Sequence, residues 1–368
     1  MAALRELPQL IDADRRDVLS VALDVDPTKP EHQTPNPAYR IWVHQALARV
    51  LEAAPGAARR DIGAAAHRIQ GRLTAGPVPG HGLVFLAAPD LWGEYALPDP
   101  VPNRILYGRP DLLPLLWAAR VYRPWAMVLV DRTHAKVVVS SLEEMRVVAD
   151  ETLDLDTSGW RFGAGRPRTS TRATGVGSAR GVARDRFDAR VDELVHRFWQ
   201  GIARTAADLS IDRVILAGPE KGANAVRDFL PGAVQASVVG ILALHSHSTI
   251  AAARAEGLPM IVAHELQQES RLLADLRDRA GARAGGVLGL DATLGALARG
   301  EVMTLVGSRD LDASVWECPA CSSVAAHPGA CAACGGAVSR TSLRQILPVL
   351  ARRHGARLEV VGPAAPPP

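Results

Sequence analysis

The sequence lacks the features of a membrane or secreted protein. No apolar stretch reaches about 18 residues, the length that a membrane-spanning helix requires. No positively charged N-terminal segment is followed by an apolar run, which is the pattern of a signal peptide. The longer apolar runs, such as 126–130 and 238–244, have the length of strands. We therefore expect a soluble, cytoplasmic protein that has no membrane partner.

The net charge is also small, and aromatic residues and cysteines are few. The chain of 368 residues has a formal net charge of only +3 and an aromatic share of 4%. Any contact with nucleic acid must therefore be local and cannot involve the whole surface. All four cysteines lie near the C-terminus, which favours a metal site over disulfide bonds. Apolar residues make up 48% of the chain, enough for sizeable cores, and the length predicts two or three domains.

Acidic residues and glutamine are absent from residues 157–184, whereas this segment contains six arginines and six glycines. Such a composition cannot build a core, and long loops inside compact domains are usually functional or disordered. An arginine-rich loop without acidic residues is suited to contact a polyanion such as RNA. A disordered insertion without a role is the alternative. The candidate RNA-binding residues are Arg161, Arg166, Arg168, Arg172, Gly175, Gly177, Arg180, Gly181 and Arg184.

Two Cys-x-x-Cys motifs lie close together near the C-terminus, Cys318-Pro-Ala-Cys321 and Cys331-Ala-Ala-Cys334. Each motif can place two thiolates on one ion, and Zn²⁺ accepts four such ligands in a tetrahedron. A redox dithiol is the competing interpretation. A site with four cysteines has no open coordination position, so we expect one structural Zn²⁺ in a ribbon at 316–338 that requires the metal to fold. His327 lies inside the ribbon and can replace a ligand, but nothing requires it.

The pattern of apolar residues predicts an α/β (α+β) chain of three domains, 1–115, 116–242 and 243–363, with a disordered tail at 364–368. We predict strands at 18–24, 82–87, 92–97, 104–107, 125–131, 135–140, 144–149, 213–217, 237–242, 302–306 and 357–361. We predict helices at 39–53, 57–73, 223–230, 249–256, 265–280, 291–299 and 341–354. A further long helix with one apolar stripe is predicted directly after the loop at 157–184.

Three other motifs are weak candidates for chemistry. Gly218-Pro-Glu-Lys-Gly222 lacks the spacing of a phosphate loop, so it predicts a turn that caps a helix. The glycines around residue 176 lack the third glycine of the dinucleotide fingerprint. His245 and His247 precede a predicted helix, where they can bind a metal or serve as plain polar residues. We favour the plain polar role.

The order of these features resembles the archaeo-eukaryotic class I peptide chain release factors. RPWAMVLVDRTHAKVVVSSLEEMRVV and FDARVDELVHRFWQGIA look like parts of that family's middle domain. LGALARGEVMTLVGSRDL, followed by the Cys-x-x-Cys ribbon, looks like its C-terminal domain, and VLSVALDVDPTKPEHQTPNPAYRIWVHQAL resembles the start of the bacterial branch, especially family ten. The resemblance implies an N-terminal α/β domain, a ribonuclease-H-like middle domain with a mixed sheet, and a C-terminal α/β/α domain of the kink-turn-binding type with an inserted zinc ribbon.

The family carries a Gly-Gly-Gln tip on the loop before its long middle-domain helix, and this tip helps water to attack the peptidyl-tRNA ester. The matching loop here contains no glutamine, and its nearest equivalents are Gly175, Gly177 and Gly181. The motif that reads stop codons also has no counterpart in residues 1–115. The resemblance therefore implies a factor that binds the ribosomal A site through rRNA, in rescue or hibernation and not in decoding. A translational GTPase is a further candidate partner, and we expect no small-molecule substrate.

Two alternative functions stay open, so the sequence does not decide whether the protein is an enzyme. In the first, the protein hydrolyses peptidyl-tRNA, and backbone N–H groups at 175–181 stabilise the oxyanion. No side chain of the loop can position the attacking water, so the catalytic residues are unknown. In the second, the protein is an RNA- or protein-binding stress module that acts away from the ribosome.

Overall fold

The computed structural model describes residues 6–141, 144–154 and 176–362, without the side chains of 176–187. Contacts between Cα atoms divide the chain into two compact units, one formed by 1–121 with 266–368 and the other by 122–265. In the described part of the chain, no helix is both long and apolar enough to cross a membrane. The three domains with boundaries at 115/116 and 242/243 remain a proposal.

The N-terminal part of the first unit is an antiparallel sheet that packs against two helices. Its elements are α1 (Leu7–Asp12), β1 (Val18–Asp24), α2 (Ala38–Ala53), α3 (Gly56–Thr74), β2 (Gly82–Ala88), β3 (Leu91–Leu97), β4 (Arg104–Gly108) and α4 (Leu113–Val121). The strand order is β3-β2-β1-β4. Alternate residues of β1, such as Leu19 and Val21, pack with Val43 of α2 and Ile62 and Ile69 of α3 in one buried core. The pleat of a strand and the helical repeat together bring these residues to one side.

The second unit is a mixed sheet of five strands, as the sequence predicted. Its elements are β5 (Trp125–Val130), β6 (His134–Ser140), β7 (Met145–Thr152), α5 (Val176–Asp208), β8 (Val214–Ala217), α6 (Glu220–Phe229), α7 (Gly232–Gln235) and β9 (Val238–Leu242). The order is β7-β6-β5-β8-β9, in which β6 is antiparallel to β5 and β7, while β8 is parallel to β5 and β9.

Strand β5 lies at the centre of this sheet and is buried on both faces. One face, which includes Val128, packs with Val195 and Ile202 of α5. The other face, which includes Met127, packs with Ile261 of helix α8 (Ile250–Gly281). Burial on both faces explains why this strand is a continuous apolar run and does not alternate.

The C-terminal part of the first unit contains a parallel strand pair and a small antiparallel sheet. Its elements are α9 (Leu290–Ala298), β10 (Thr304–Ser308), β11 (Ser314–Glu317), β12 (Val324–Ala325), β13 (Ser339–Ser342), α10 (Leu343–Arg353) and β14 (Arg357–Val361). Strand β10 pairs in parallel with β14, whereas β11 lies between β12 and β13. The mixed α/β fold class is thereby confirmed, and the small sheet extends the predicted ribbon of 316–338 to residues 314–342.

The structure corrects the predictions for two long helices. Helix α5 begins at Val176, so residues 176–184 are helical and not part of the loop. Each glycine in a helix interior costs about 1 kcal/mol. Once the helix has formed, however, each residue added at its end contributes one backbone hydrogen bond, and this gain offsets the cost. Helix α8 is continuous where two helices were predicted, with Pro259 in its interior. Ala253 and Ile261, on either side of Pro259, are both buried against the same sheet, which keeps the helix together despite the proline.

Candidate metal centre

The structure brings the four cysteines of the ribbon into one cluster, in which each sulfur lies within 4.8 Å of the others. Two short sulfur–sulfur distances join one motif to the other. The sulfurs of Cys318 and Cys334 are 3.5 Å apart, and those of Cys321 and Cys331 are 3.4 Å apart. The two Cys-x-x-Cys motifs therefore face each other across a common centre.

Backbone hydrogen bonds close each motif into the same tight turn. The Ser322 N–H donates to the Cys318 carbonyl at 2.7 Å, and the Gly335 N–H donates to the Cys331 carbonyl at 2.8 Å. Both donors have positive φ, 58° for Ser322 and 73° for Gly335. Glycine adopts this conformation freely and serine at a cost. The repetition of one turn in both motifs explains how a short segment without a core aims four sulfurs at one point.

The geometry of the cysteines fits a tetrahedral metal ion and does not fit a disulfide. Zn–S bonds of about 2.3 Å imply S···S separations of about 3.8 Å in a tetrahedron. The sulfur distances of 3.4 and 3.5 Å are close to that value, whereas a disulfide requires about 2.05 Å. This cluster can hold a metal ion. His327 takes no part in it, because its Nε2 contacts Asp291 at 3.2 Å and its side chain is 77% exposed.

The thiols of the cluster differ in pKa because they interact with nearby hydrogen-bonding groups and with one another. Hydrogen bonds with the side chain and backbone of Ser323 lower the pKa of Cys321 to about 6. The backbone at Gly336 acts to lower the pKa of Cys334, but the three neighbouring cysteines raise it to about 12. Several thiolates at this separation repel one another, so they cannot all ionise without a compensating cation. A divalent ion removes this obstacle because it attracts each negative sulfur.

The ribbon is joined to the rest of the first unit by charged side chains on both sides of the cluster. Glu317 directly precedes Cys318, and its two oxygens accept hydrogen bonds at 2.8 Å from Arg109. On the other side, Arg353 of α10 donates to the Ser322 carbonyl at 2.7 Å. The orientation of the ribbon within this unit is therefore set by specific contacts at the metal turns themselves.

The structure does not test the predicted RNA-binding residues. Arg161, Arg166, Arg168, Arg172 and Gly175 lie outside the described residues. Gly177, Arg180, Gly181 and Arg184 lie in the first turns of α5, in the stretch whose side chains are not described.

The described residues on both sides of this segment belong to the sheet of the second unit. Strand β7 ends at Thr152, and the N–H of the next residue, Leu153, donates to the Thr133 carbonyl at 2.6 Å. Trp199 of α5 donates its Nε1–H to the Asp131 carbonyl at 2.8 Å. Both bonds end on the turn between β5 and β6. The predicted loop is thus bounded by two elements that are fixed to the same turn.

The structure also reveals a second cluster of possible metal ligands that the sequence did not predict as a group. Asp131, His134 and His247 each offer a ligand atom, and these atoms lie within 4.8 Å of one another. The sequence signalled only the pair His245 and His247. Asp131 and His134 belong to a hairpin turn more than 100 positions away along the chain, so no local spacing could have joined them to that pair.

Residues 110–257 match the model of the bacterial archaeo-eukaryotic release factor family 10. No curated protein matches the chain.

Several solved structures are similar to the chain at low TM-scores. The archaeal translation termination factor aRF1 has a TM-score of 0.27 and 13% identity, over 98% of this chain and 92% of that one. Pelota of Archaeoglobus fulgidus has a TM-score of 0.35 and 11% identity, over 76% and 73%. Dom34 of S. cerevisiae has a TM-score of 0.39 and 10% identity, over 78% and 68%.

Proposed function

Because residues 110–257 match the model of the bacterial archaeo-eukaryotic release factor family 10, we propose that the protein is a translation factor that binds the ribosome. It occupies the A site through contacts with rRNA and acts in rescue or hibernation, not in stop-codon decoding. The observation that carries this proposal is the family match, because the matched segment includes residues 157–184, the strands before them and helix α5.

The composition of the loop supports binding to RNA phosphates. Residues 157–184 contain six arginines and no acidic residue, so nothing within the segment neutralises its positive charge. Guanidinium groups bind phosphate oxygens in a bidentate manner. Contacts of this kind position a protein on rRNA without reading its bases. The sheet and helix α5 supply a rigid base for this segment through the turn between β5 and β6.

The absence of glutamine favours occupation of the ribosome over peptide release. Hydrolysis of the peptidyl-tRNA ester requires a group that stabilises the oxyanion and a group that positions water. Backbone N–H groups can serve the first purpose, but residues 157–184 contain no glutamine, histidine, aspartate or glutamate for the second. A factor that binds without releasing peptide needs neither group.

The ribbon completes the proposal as a structural zinc site. We assign one Zn²⁺ to Cys318, Cys321, Cys331 and Cys334, which leaves no position open for a substrate. Binding of this ion supplies folding free energy on the order of 10 kcal/mol to the segment between β11 and β13. The ribbon then presents a rigid surface beside α9 and α10, suited to contact RNA or protein.

Co-sedimentation with purified ribosomes at low and high salt tests the proposal. The informative variant replaces Arg161, Arg166, Arg168 and Arg172 together by alanine. A control with the same loss of charge replaces Arg49, Arg60, Arg271 and Arg277, which are exposed arginines on α2, α3 and α8. We expect the wild type and the control to sediment with ribosomes at low salt and the loop variant to remain in the supernatant. Failure of the wild type to bind at low salt would overturn the proposal.

Release of labelled peptide from programmed ribosomes separates occupation from hydrolysis. We expect no release by the wild type above the background of ribosomes alone. Release that disappears when Gly175 and Gly177 are both replaced by alanine would assign the hydrolase function instead, because added side chains would displace the backbone N–H groups. In that case the protein would still be a ribosome-binding factor, but it would act by releasing peptide and not by occupying the A site alone.

A further inference from the structure

Three side chains from separate segments of the second unit meet beside the end of strand β5. Asp131 follows β5, His134 is the first residue of β6, and His247 lies between β9 and α8. One ligand atom of each lies within 4.8 Å of the other two. The imidazole rings of His134 and His247 are nearly parallel, with centroids 4.0 Å apart and 17° between their planes. Two imidazoles and a carboxylate therefore converge on one small volume.

His134 has one nitrogen committed and one without a partner. Its Nε2 lies 2.6 Å from a carboxylate oxygen of Asp150, so the ring proton is on Nε2 and the lone pair is on Nδ1. The residue is only 5% exposed, and Nδ1 is buried with no hydrogen-bond partner among the described residues. A buried hydrogen-bond acceptor without a partner costs about 1–3 kcal/mol. The Nδ1 lone pair is therefore available to bind a metal ion, which would offset this cost.

The contact between His134 and Asp150 has the form that metal-binding histidines usually show. A ligating imidazole donates its second N–H to a carboxylate, which fixes the tautomer and makes the ligand nitrogen more basic. Asp150 suits this role because its hydrogen bond with His134, and then the charge of nearby Lys136, hold the pKa of its carboxyl below the usual value. It therefore stays ionised while it orients the ring.

Asp131 is fixed in place as an ionised carboxylate. One of its oxygens accepts hydrogen bonds from the backbone N–H groups of Thr133 at 2.8 Å and His134 at 2.7 Å. The other accepts a hydrogen bond from the Ser246 hydroxyl. Burial acts to raise the pKa of Asp131, but these hydrogen bonds together lower it below the usual value. The oxygen that accepts the Ser246 hydroxyl has only this one hydrogen bond, so it retains a lone pair for a cation.

We propose that Asp131, His134 and His247 bind a divalent transition-metal ion such as Zn²⁺. In a tetrahedral site, metal–ligand bonds of about 2.0–2.1 Å place neighbouring ligand atoms about 3.4 Å apart. The ligand atoms of the three residues lie within 4.8 Å of one another, so a small movement can bring them to that distance. His247 is exposed, so its side chain can rotate to close the difference without moving the core. Imidazole and carboxylate together suit Zn²⁺ and its neighbours in the first transition row.

The site has an open coordination position, unlike the cluster of four cysteines. Three protein ligands leave the fourth position of a tetrahedral ion to water or another ligand. Asp131 also lines a cavity of about 330 Å³, whose other lining residues include Arg132 and Lys221. Asp192 also lines this cavity and pairs with Arg132 at 2.8 Å. The cavity therefore provides space beside Asp131 for water.

Metal content of the untagged full chain tests this site. The protein is saturated with Zn²⁺, freed of loose metal by gel filtration and analysed for zinc. We expect two ions per wild-type chain and one ion for His247→Ala. His245→Ala is the matched control, because His245 is exposed and lies two positions away in the same segment, and it should retain two ions. Cys331→Ser should lose the ribbon ion and keep the second.

Titration with Co²⁺ identifies the ligands directly. In protein whose ribbon already contains Zn²⁺, we expect visible d–d absorption without a thiolate charge-transfer band, and none in His247→Ala. Asp150→Asn should weaken the affinity about 10–100-fold, the usual effect of losing the carboxylate behind a ligating histidine. A wild-type chain that retains only one ion, or a His247→Ala variant that retains two, would overturn the proposal.

Discussion

Arg109 and Glu317 form a buried, bidentate ion pair between positions 208 residues apart in the chain. Both hydrogen bonds are 2.8 Å long, and the two side chains are 4% and 3% exposed. Burial acts to lower the pKa of Arg109, but Glu317 and Asp14 raise it above its usual value. Since Glu317 directly precedes Cys318, this pair joins the end of strand β4 to the metal ribbon.

Breaking this pair should destabilise the protein strongly. Glu317→Gln removes the buried counter-charge of the Arg109 guanidinium and leaves Asp14 as its remaining acidic partner. Loss of one partner of a buried pair typically costs about 3–5 kcal/mol. Unfolding by urea, followed by circular dichroism, measures the change. Glu301→Gln is the control, because Glu301 pairs with Arg299 on the surface at 2.8 Å. We expect no measurable change from the control, and equal effects of the two substitutions would contradict the role assigned to Glu317.

Loss of one ribbon cysteine should remove the ribbon ion and unfold the ribbon alone. Cys331→Ser eliminates one of four ligands, and the short segment between β11 and β13 has no core to replace the metal. Zinc analysis should show one ion fewer, and the fluorescence of Trp316 in β11 should shift towards that of exposed tryptophan. Ala332→Ser, which lies between the two cysteines of the second motif, should change neither signal. A folded ribbon in the metal-free Cys331→Ser protein would refute the structural role of the metal.

Gly218 should not tolerate a side chain. Its φ is +138°, and a Cβ atom built there would lie 1.9 Å from the Val130 carbonyl oxygen. Strain and overlap together should cost Gly218→Ala about 2–5 kcal/mol of unfolding free energy. Gly201 in α5 is the control, because an added Cβ meets nothing within 4 Å. Gly201→Ala should stabilise the protein by about 0.5–1 kcal/mol. A thermal or urea unfolding series that shows equal effects would contradict this account of the β8–α6 turn.

The salt dependence of ribosome binding should show how many phosphates the loop arginines contact. Each arginine that neutralises one phosphate contributes about 0.7–0.9 to the slope of log affinity against log salt. Single replacements at Arg161, Arg166, Arg168 and Arg172 should each lower that slope by roughly this amount. Arg49→Ala, outside the loop, should leave it unchanged. Slopes that are identical in all five variants would show that these loop arginines do not touch ribosomal phosphate.

Local sequence patterns determined most of the elements and one of the two clusters. Strand 18–24 was predicted at the observed bounds of β1, and 357–361 at those of β14, because both are continuous apolar or alternating runs between clear turns. The cysteine cluster was also predictable, since two residues between cysteines suffice to place both sulfurs on one ion. The same holds for the positive charge of residues 157–184, which is a property of composition alone.

Contacts between distant segments decided the rest, and no local pattern encodes them. Helix α8 is continuous because Ala253 and Ile261 are buried against the same sheet, although the intervening Pro259 by itself predicts a break. Glu317 acquired its partner from a strand end 208 positions earlier. Asp131, His134 and His247 come together only because β5 and β6 form a hairpin and the segment after β9 returns beside it. The sequence determines which side chains can bind metal or RNA, whereas the packing of the sheet determines which of them meet.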